Sequence, residues 1–95
     1  MEKNKGKKQA VALGYDIKKD SAPRIIASGQ GIVAENIIKT AEENEIAQHQ
    51  DEKLVKELIQ FKVGTEIPPE LYEVVAQILV FVETVDREKA INSLW

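Results

Sequence analysis

The most constraining feature of this sequence is a change of hydrophobic periodicity at two glycines. Before Gly29 the chain reads "PRIIASG", a short apolar run typical of a strand, with its proline at the first position, where a missing N–H costs little. After Gly31 the apolar residues recur at near-helical spacing. They are Ile32, Val33, Ile37, Ile38 and Ala41. A strand followed directly by an amphipathic helix indicates a mixed α/β fold.

The remaining residues continue this alternation of strands and helices. The stretches "QAVALGYD" at 9–16 and "EIAQHQ" at 45–50 predict two more short strands. Asp51 suits the N-cap of a second helix. The apolar stripe of that helix is Leu54, Val55, Leu58 and Ile59. The pair Pro68-Pro69 predicts the start of a third helix, which carries apolar residues as far as Val85.

The order of these elements predicts a single-domain α/β fold. We expect a small mixed three-stranded sheet flanked by three helices, in the order β-β-α-β-α-α, with the third strand beside the first two. Because the first helix joins two strands, those strands are expected to run parallel through a right-handed crossover. The folded domain is expected at residues 9–86, between a basic flexible tail at 1–8 and a frayed C-terminal extension at 87–95.

Cysteine is absent, so the stability of these 95 residues has to come from the packing of one modest core. The same absence excludes disulfides, thiolate nucleophiles and most structural zinc sites. The longest strongly apolar run, Ile78 to Val82, is too short for a membrane span, and the start of the chain lacks the apolar stretch of a secretory signal. We therefore predict a cytoplasmic protein without direct membrane insertion.

Charge is unevenly distributed along the chain, although the net charge is only −3. Lysines crowd the first eight residues and acidic residues cluster near the middle, and the simplest interpretation of both clusters is solvated surface. An alternative is a nucleic-acid adaptor that uses the lysine tail together with Lys18, Lys19 and Arg24. The chain lacks the net basic field and the stacking aromatics of such proteins, so we predict no nucleic-acid partner.

The stretch "IIASGQGIVA" raises a second alternative, a small nucleotide-binding protein. Gly29, Gly31 and Ala34 have G-x-G-x-x-A spacing between a strand and a helix, and Asp51 follows roughly twenty residues later. Such glycines let a backbone approach a pyrophosphate at a helix N-terminus. Glycines are also the usual means of ending a strand before a helix, and a full dinucleotide fold needs more strands, so a structural role is preferred.

No combination of side chains predicts catalysis or a metal site. His49 is the single histidine, and no cysteine accompanies it, so a transition-metal site cannot be completed. The serines Ser21, Ser28 and Ser93 have no evident activating base. We predict no catalytic residue, no metal and no cofactor, and a surface or strand-end position for His49.

Three stretches of the chain resemble a known family of export proteins: "AVALGYD", "KKDSAPRIIASG" and "VGTEIPPELYEVVAQILVFV". They are similar to the C-terminal cytoplasmic domain of the FlhB/YscU family, the export-switch proteins of flagellar and injectisome type III secretion. The likeness extends over roughly Ala10 to Val85 and depends on the type and spacing of many residues. These include Tyr15-Asp16, Ala22-Pro23, Gly29, Gly64 and the run from Ile67 to Tyr72.

The resemblance implies a difference at the start of the chain. In this family a membrane domain, a linker and an Asn-Pro-Thr-His loop precede this region, and the asparagine breaks its own bond to proline. The corresponding stretch here is Lys5-Gly6-Lys7-Lys8, which contains no asparagine–proline bond, so self-cleavage is not expected. The resemblance also implies a stand-alone paralogue without the membrane domain and the upstream strand, with a sheet edge suited to accepting a strand from another chain.

The family further implies a docking surface for exported subunits. The matching residues are Ala22, Pro23, Ala76 and Leu79, of which the last two share a helix face. The alternative interpretation is that all four are ordinary core positions. Ser28 departs from the lysine often found before the glycine in this family, so no role is assigned to it.

These inferences combine into one functional prediction. We expect a non-enzymatic homologue of the switch protein's C-terminal domain, which supports or modulates flagellar type III export and stands in for the cleaved fragment. The expected partners are the FlhB membrane protein, other components of the flagellar export gate and the exported flagellar subunits. The expected location is the cytoplasm, in association with the export apparatus at the inner membrane.

Overall fold

The computed structural model describes residues 8–16, 18–78 and 89–95. For residues 89–92 it describes the backbone only. The strands are β1 (Gln9–Asp16), β2 (Arg24–Gln30), β3 (Ala47–His49) and β4 (Lys89–Leu94). The helices are α1 (Ile32–Glu43), α2 (Glu52–Leu58) and α3 (Tyr72–Ala76), with a 3-10 turn at Pro69–Leu71. The predicted α/β fold is confirmed, and the first strand spans the residues expected from the sequence.

The sheet has four strands among the described residues, in the order β2-β1-β4-β3, where three were predicted. β1 is antiparallel to both β2 and β4, and β3 is parallel to β4. β2 and β3 therefore run in the same direction, as expected, but the third strand does not lie beside the first two.

The prediction of a frayed extension at residues 87–95 is wrong for Lys89–Leu94, which form β4 and lie between β1 and β3 in the sheet. The sequence "KAINSL" has too little apolar alternation to predict a strand. Its position becomes favourable because β1 and β3 offer hydrogen-bond partners on both of its edges, which is a non-local effect.

The two faces of β1 carry side chains of different size. Val11 and Leu13 are fully buried on the face covered by α2, whereas Ala12 lies on the other face, beneath α1. The small residue lets α1 approach closely, and the helix packs through Ala34 and Ala41. Each face of the sheet is therefore covered by helical structure.

The predicted apolar stripe of α1 is only partly correct. Ile32 is 76% exposed and Val33 is 51% exposed, although the helical spacing placed both on the buried face. They belong to the first turn of α1, and the buried contacts of this helix are made by alanines. The bulky residues of the first turn therefore lie at the margin of the contact with the sheet.

The core lies between the sheet and α2, and its α2 stripe was predicted correctly. Leu54, Val55 and Leu58 are buried, with Ile59 packed against them. Burying each such side chain contributes roughly 1.5–3 kcal/mol relative to leaving it exposed. Asp51 caps the helix as expected, because its Oδ1 accepts a hydrogen bond from the Leu54 amide at 3.1 Å.

The third helical segment begins at the predicted proline pair. Pro69 opens the 3-10 turn, with Pro68 as its N-cap, and α3 follows directly. The 3-10 geometry is common at helix N-termini, where the first N–H groups lack partners and proline loses nothing. The predicted continuation of this helix to Val85 lies outside the described residues, and so does Leu79.

Candidate docking pocket

Three of the four residues assigned to a docking surface line one concavity in the structure. Ala22, Pro23 and Ala76 surround a space of about 200 Å³, together with Tyr15, Ser21 and Tyr72. The turn between β1 and β2 supplies one wall, and α3 supplies the other. We refer to these six residues as the docking pocket. Leu79, the fourth assigned residue, lies outside the described part of the chain.

The residues of the docking pocket differ in their exposure. Ala22 is only 2% exposed and forms the buried wall of the pocket, as the alternative interpretation of a core position predicts for this residue. Pro23 is half-buried, whereas Ala76 is exposed and Tyr72 is 43% exposed. The α3 side of the pocket is thus the side that another molecule can reach.

Arg24 connects the turn that carries Ala22-Pro23 to a distant segment. Its Nε donates to Asp20 Oδ1 at 3.2 Å, and its Nη2 lies 3.3 Å from Glu66 Oε2. Ser21 Oγ donates to the same Glu66 oxygen at 3.2 Å. Charge pairs near the surface contribute little stability one by one, but the Glu66 oxygen shared by Arg24 and Ser21 connects this turn to the segment that follows Gly64.

Backbone hydrogen bonds hold the same two segments together. Pro23 O accepts from the Ile67 amide at 2.9 Å, and the Ile25 amide donates to Thr65 O at 2.8 Å. Gly64 adopts a φ of 95°, a backbone conformation that favours glycine, and its amide donates to Ile25 O. The Pro23 wall is therefore held by main-chain contacts, which side-chain substitutions in the pocket leave in place.

From the sequence, the two tyrosines, Tyr15 and Tyr72, were not assigned to the docking surface. Tyr72 precedes Ala76 by four residues, so helical spacing alone places both on one face of α3. Tyr15 lies at the end of β1, beside the turn that carries Ala22. Tyrosine combines an apolar ring with a polar tip and is enriched at protein interfaces, which was the available signal.

The residues of the nucleotide alternative have structural roles. A Cβ built on Gly29 would lie 2.1 Å from Val33 Cγ1, so the close contact between β2 and α1 requires glycine. Gly31 precedes α1 with a φ of 61°, and its amide donates to Lys8 O at 2.8 Å. Asp51 uses its carboxylate to cap α2. No observation on the described residues favours a nucleotide at this turn.

The other candidate residues are placed as follows. His49 is exposed at the last position of β3, which confirms the predicted strand-end location. Of the stretch Lys5-Gly6-Lys7-Lys8, only Lys8 is described; it is exposed, with its Nζ 5.3 Å from the ring centroid of Trp95. In the described ranges no group of three His, Cys, Asp or Glu side chains could hold a metal ion. None of the described helices is long and apolar enough to cross a bilayer.

The stretches that resemble the export proteins contribute to the mixed sheet and line the docking pocket at one end of β1. The chain matches the model of the FlhB HrpN YscU SpaS family over residues 7–82 and therefore belongs to that family. The resemblance found in the sequence is confirmed.

Individual relatives differ in how much of their length this chain spans. It is 45% identical over 80 residues to Uncharacterized protein YlqH of Bacillus subtilis (strain 168), covering 84% of this chain and 86% of YlqH. It is 38% identical over 74 residues to flagellar biosynthetic protein FlhB of Aquifex aeolicus (strain VF5), covering 77% of this chain and 21% of that protein. FlhB of Escherichia coli (strain K12) is 37% identical over 79 residues, with 82% and 21% covered. The chain thus spans about a fifth of these FlhB proteins.

Proposed function

We propose that this chain acts in flagellar type III protein export as a docking module, without catalysis, and stands in for the cleaved C-terminal fragment of FlhB. Membership in the FlhB HrpN YscU SpaS family supports an export-related role. The observation that carries the finer proposal is the docking pocket, because Ala22, Pro23 and Ala76 come together from elements far apart in the sequence.

The chemistry of the docking pocket suits a short apolar segment of another protein. Alanine and proline side chains present an aliphatic surface, Tyr15 and Tyr72 add aromatic rings, and the hydroxyl of the exposed Tyr72 can hydrogen-bond to the main chain of a partner. Pre-formed walls lower the entropic cost of binding, since few side chains have to be ordered. The proposed partners are exported flagellar subunits, the FlhB membrane protein and other export-gate components, met in the cytoplasm at the inner membrane.

Replacing Ala76 with glutamate is expected to weaken binding of an exported subunit at least about tenfold, because a charge would be desolvated against the aliphatic wall. The measurement is isothermal titration calorimetry between the purified chain and a purified, unassembled flagellar hook subunit. Since Ala76 is exposed, the variant is expected to keep its fold, which circular dichroism checks.

Gln77→Glu is the matched control for this experiment. It adds the same charge at the neighbouring exposed position, which does not line the docking pocket. We expect the affinity of Gln77→Glu to stay within about twofold of the natural chain. Equal affinities of the Ala76 and Gln77 variants would contradict docking at this pocket.

Self-cleavage is expected to be absent, because the three prolines follow Ala22, Ile67 and Pro68 and no asparagine–proline bond exists. Mass spectrometry after several days at neutral pH should show only the intact 10.6 kDa chain. A comparison variant carries Asn-Pro-Thr-His in place of Lys5-Gly6-Lys7-Lys8, which tests whether the surrounding fold supports the reaction. A fragment that begins within residues 5–8 of the natural chain would overturn this prediction.

A further inference from the structure

A second concavity lies between α1 and the sheet, apart from the docking pocket. Its volume is about 360 Å³, and its lining includes Val33, Ile37 and Thr40 of α1, with Ala12 and Ser93 of the sheet. We call this concavity the α1 groove. It shares no lining residue with the docking pocket, so what it binds does not depend on the proposed function.

The side chains around the α1 groove are aliphatic, and several of them are short. The helix packs on the sheet through Ala34 and Ala41, and Ala12 adds only a methyl group on the side of β1. Val33 is 51% exposed and Ile26 is 44% exposed, so the described residues leave both accessible from the groove. An apolar concavity of this size is in the range of small-molecule sites, which is roughly 300–1,000 Å³.

One polar group in the lining of the α1 groove is buried without a partner. Ser93 is 2% exposed, and its Oγ has no hydrogen-bond partner in the described part of the chain. A buried hydroxyl that is left unpaired is costly. A ligand that brings a hydrogen-bonding atom to Ser93 would remove this cost, whereas a purely aliphatic group would not.

The lining also restricts the charge of the ligand. Among the described residues that line the α1 groove there is no Lys, Arg, Asp or Glu, and the polar side chains besides Ser93 are Asn36 and Thr40. An ionised head group would lose its hydration in the groove without gaining a counter-charge. The α1 groove therefore favours a neutral molecule.

We propose that the α1 groove binds a small neutral amphiphile, a medium-chain aliphatic alcohol or amide. Its polar group hydrogen-bonds to Ser93 Oγ, which can both donate and accept, and its chain packs on Val33 and Ile37. An aliphatic side chain of a protein partner would contact the same walls but would leave Ser93 unpaired. The small amphiphile is thus the occupant that matches both the aliphatic walls and the buried hydroxyl.

NMR titration of the isotope-labelled full chain tests the chemistry of the ligand, with hexanol, heptanol, octanol and octanoate as probes. The amide signals of Val33, Ile37 and Ser93 are expected to move. Affinity should rise about fourfold with each added methylene of the alcohols, because each one buries more apolar surface. Octanoate at neutral pH should bind at least about tenfold more weakly than octanol. Equal affinities across the alcohols, or equal affinities of octanol and octanoate, would overturn the proposal.

Val33→Asp and Ile32→Asp form a matched pair that tests the location of the site. Both add a carboxylate in the first turn of α1, where the helix dipole favours negative charge. Val33 lines the α1 groove, whereas Ile32 is 76% exposed and does not line it. Val33→Asp should weaken octanol binding at least about tenfold, and Ile32→Asp should change it by less than about twofold. The same effect from both variants would contradict binding in this groove.

Ser93→Ala tests the polar contact. The variant removes the unpaired hydroxyl, so it is expected to fold and to bind octanol about fivefold more weakly than the natural chain. An unchanged affinity would overturn the role assigned to Ser93. If a purified exported flagellar subunit moved the signals of Val33 and Ile37 while the alcohols did not, the groove would belong to a protein partner and the proposal would be wrong.

Discussion

Replacing Leu94 with alanine is expected to lower the free energy of unfolding by about 3 kcal/mol. Leu94 is 0% exposed and belongs to the same core cluster as Leu13 of β1 and Leu58 of α2. The truncation removes buried apolar surface and leaves a cavity between the sheet and α2, which the backbone pairing of β4 prevents from closing fully. Urea denaturation followed by circular dichroism measures the loss, which is a large part of the roughly 5–15 kcal/mol typical of a folded domain.

Ile32→Ala is the matched control for the Leu94 variant. The helical spacing of the sequence places Ile32 on a buried stripe, but the structure leaves it 76% exposed. Its truncation should change the free energy of unfolding by less than about 0.5 kcal/mol. Similar losses for the two variants would contradict the position of β4 in the core.

Replacing Gly29 with alanine is expected to lower the free energy of unfolding by about 2 kcal/mol, or the melting temperature by roughly ten degrees. The added Cβ would lie 2.1 Å from Val33 Cγ1 and 2.6 Å from Val33 Cβ, separations far below van der Waals contact. Valine is stiff at χ1, so the strain has to shift α1 relative to β2. Thermal denaturation measures this effect.

A second substitution shows whether Val33 causes the cost. Val33→Ala alone should be nearly neutral, because Val33 is 51% exposed. In that background the cost of Gly29→Ala is expected to fall by about half, since Cγ1 is gone while the Cβ contact remains. An unchanged cost would mean that Gly29 is required for a reason other than its packing against α1.

Local signals were sufficient to predict several elements of this fold. The apolar run that forms β1 ends at Asp16, where the strand ends in the structure, and Asp51 caps α2 as its type and position indicated. β4 could not be predicted in the same way, because its hydrogen bonds are made to β1 and β3, far away in sequence. The first turn of α1 was assigned to the core because periodicity reports a face but not how far the sheet beneath it extends.

The docking pocket was predictable only in part. The resemblance to the export proteins pointed to Ala22, Pro23 and Ala76, and the structure places these residues around one concavity. The contact between Arg24 and Glu66 beside the docking pocket was not predictable. The two residues are 42 positions apart and meet only because β2 pairs with the segment that follows Gly64. Composition and spacing contain no information about such a contact.

The most direct test of the docking claim is an NMR titration of the isotope-labelled chain with a purified exported flagellar subunit. We predict that the amide signals that move are those of Ser21, Ala22, Tyr72 and Ala76, with Tyr15 at the end of β1, and that Ala76→Glu requires at least about tenfold more subunit to produce the same shifts. Shifts confined to the concavity between α1 and the sheet that Ile26, Val33 and Ile37 line, or an unchanged spectrum at saturating subunit, would contradict docking at this pocket.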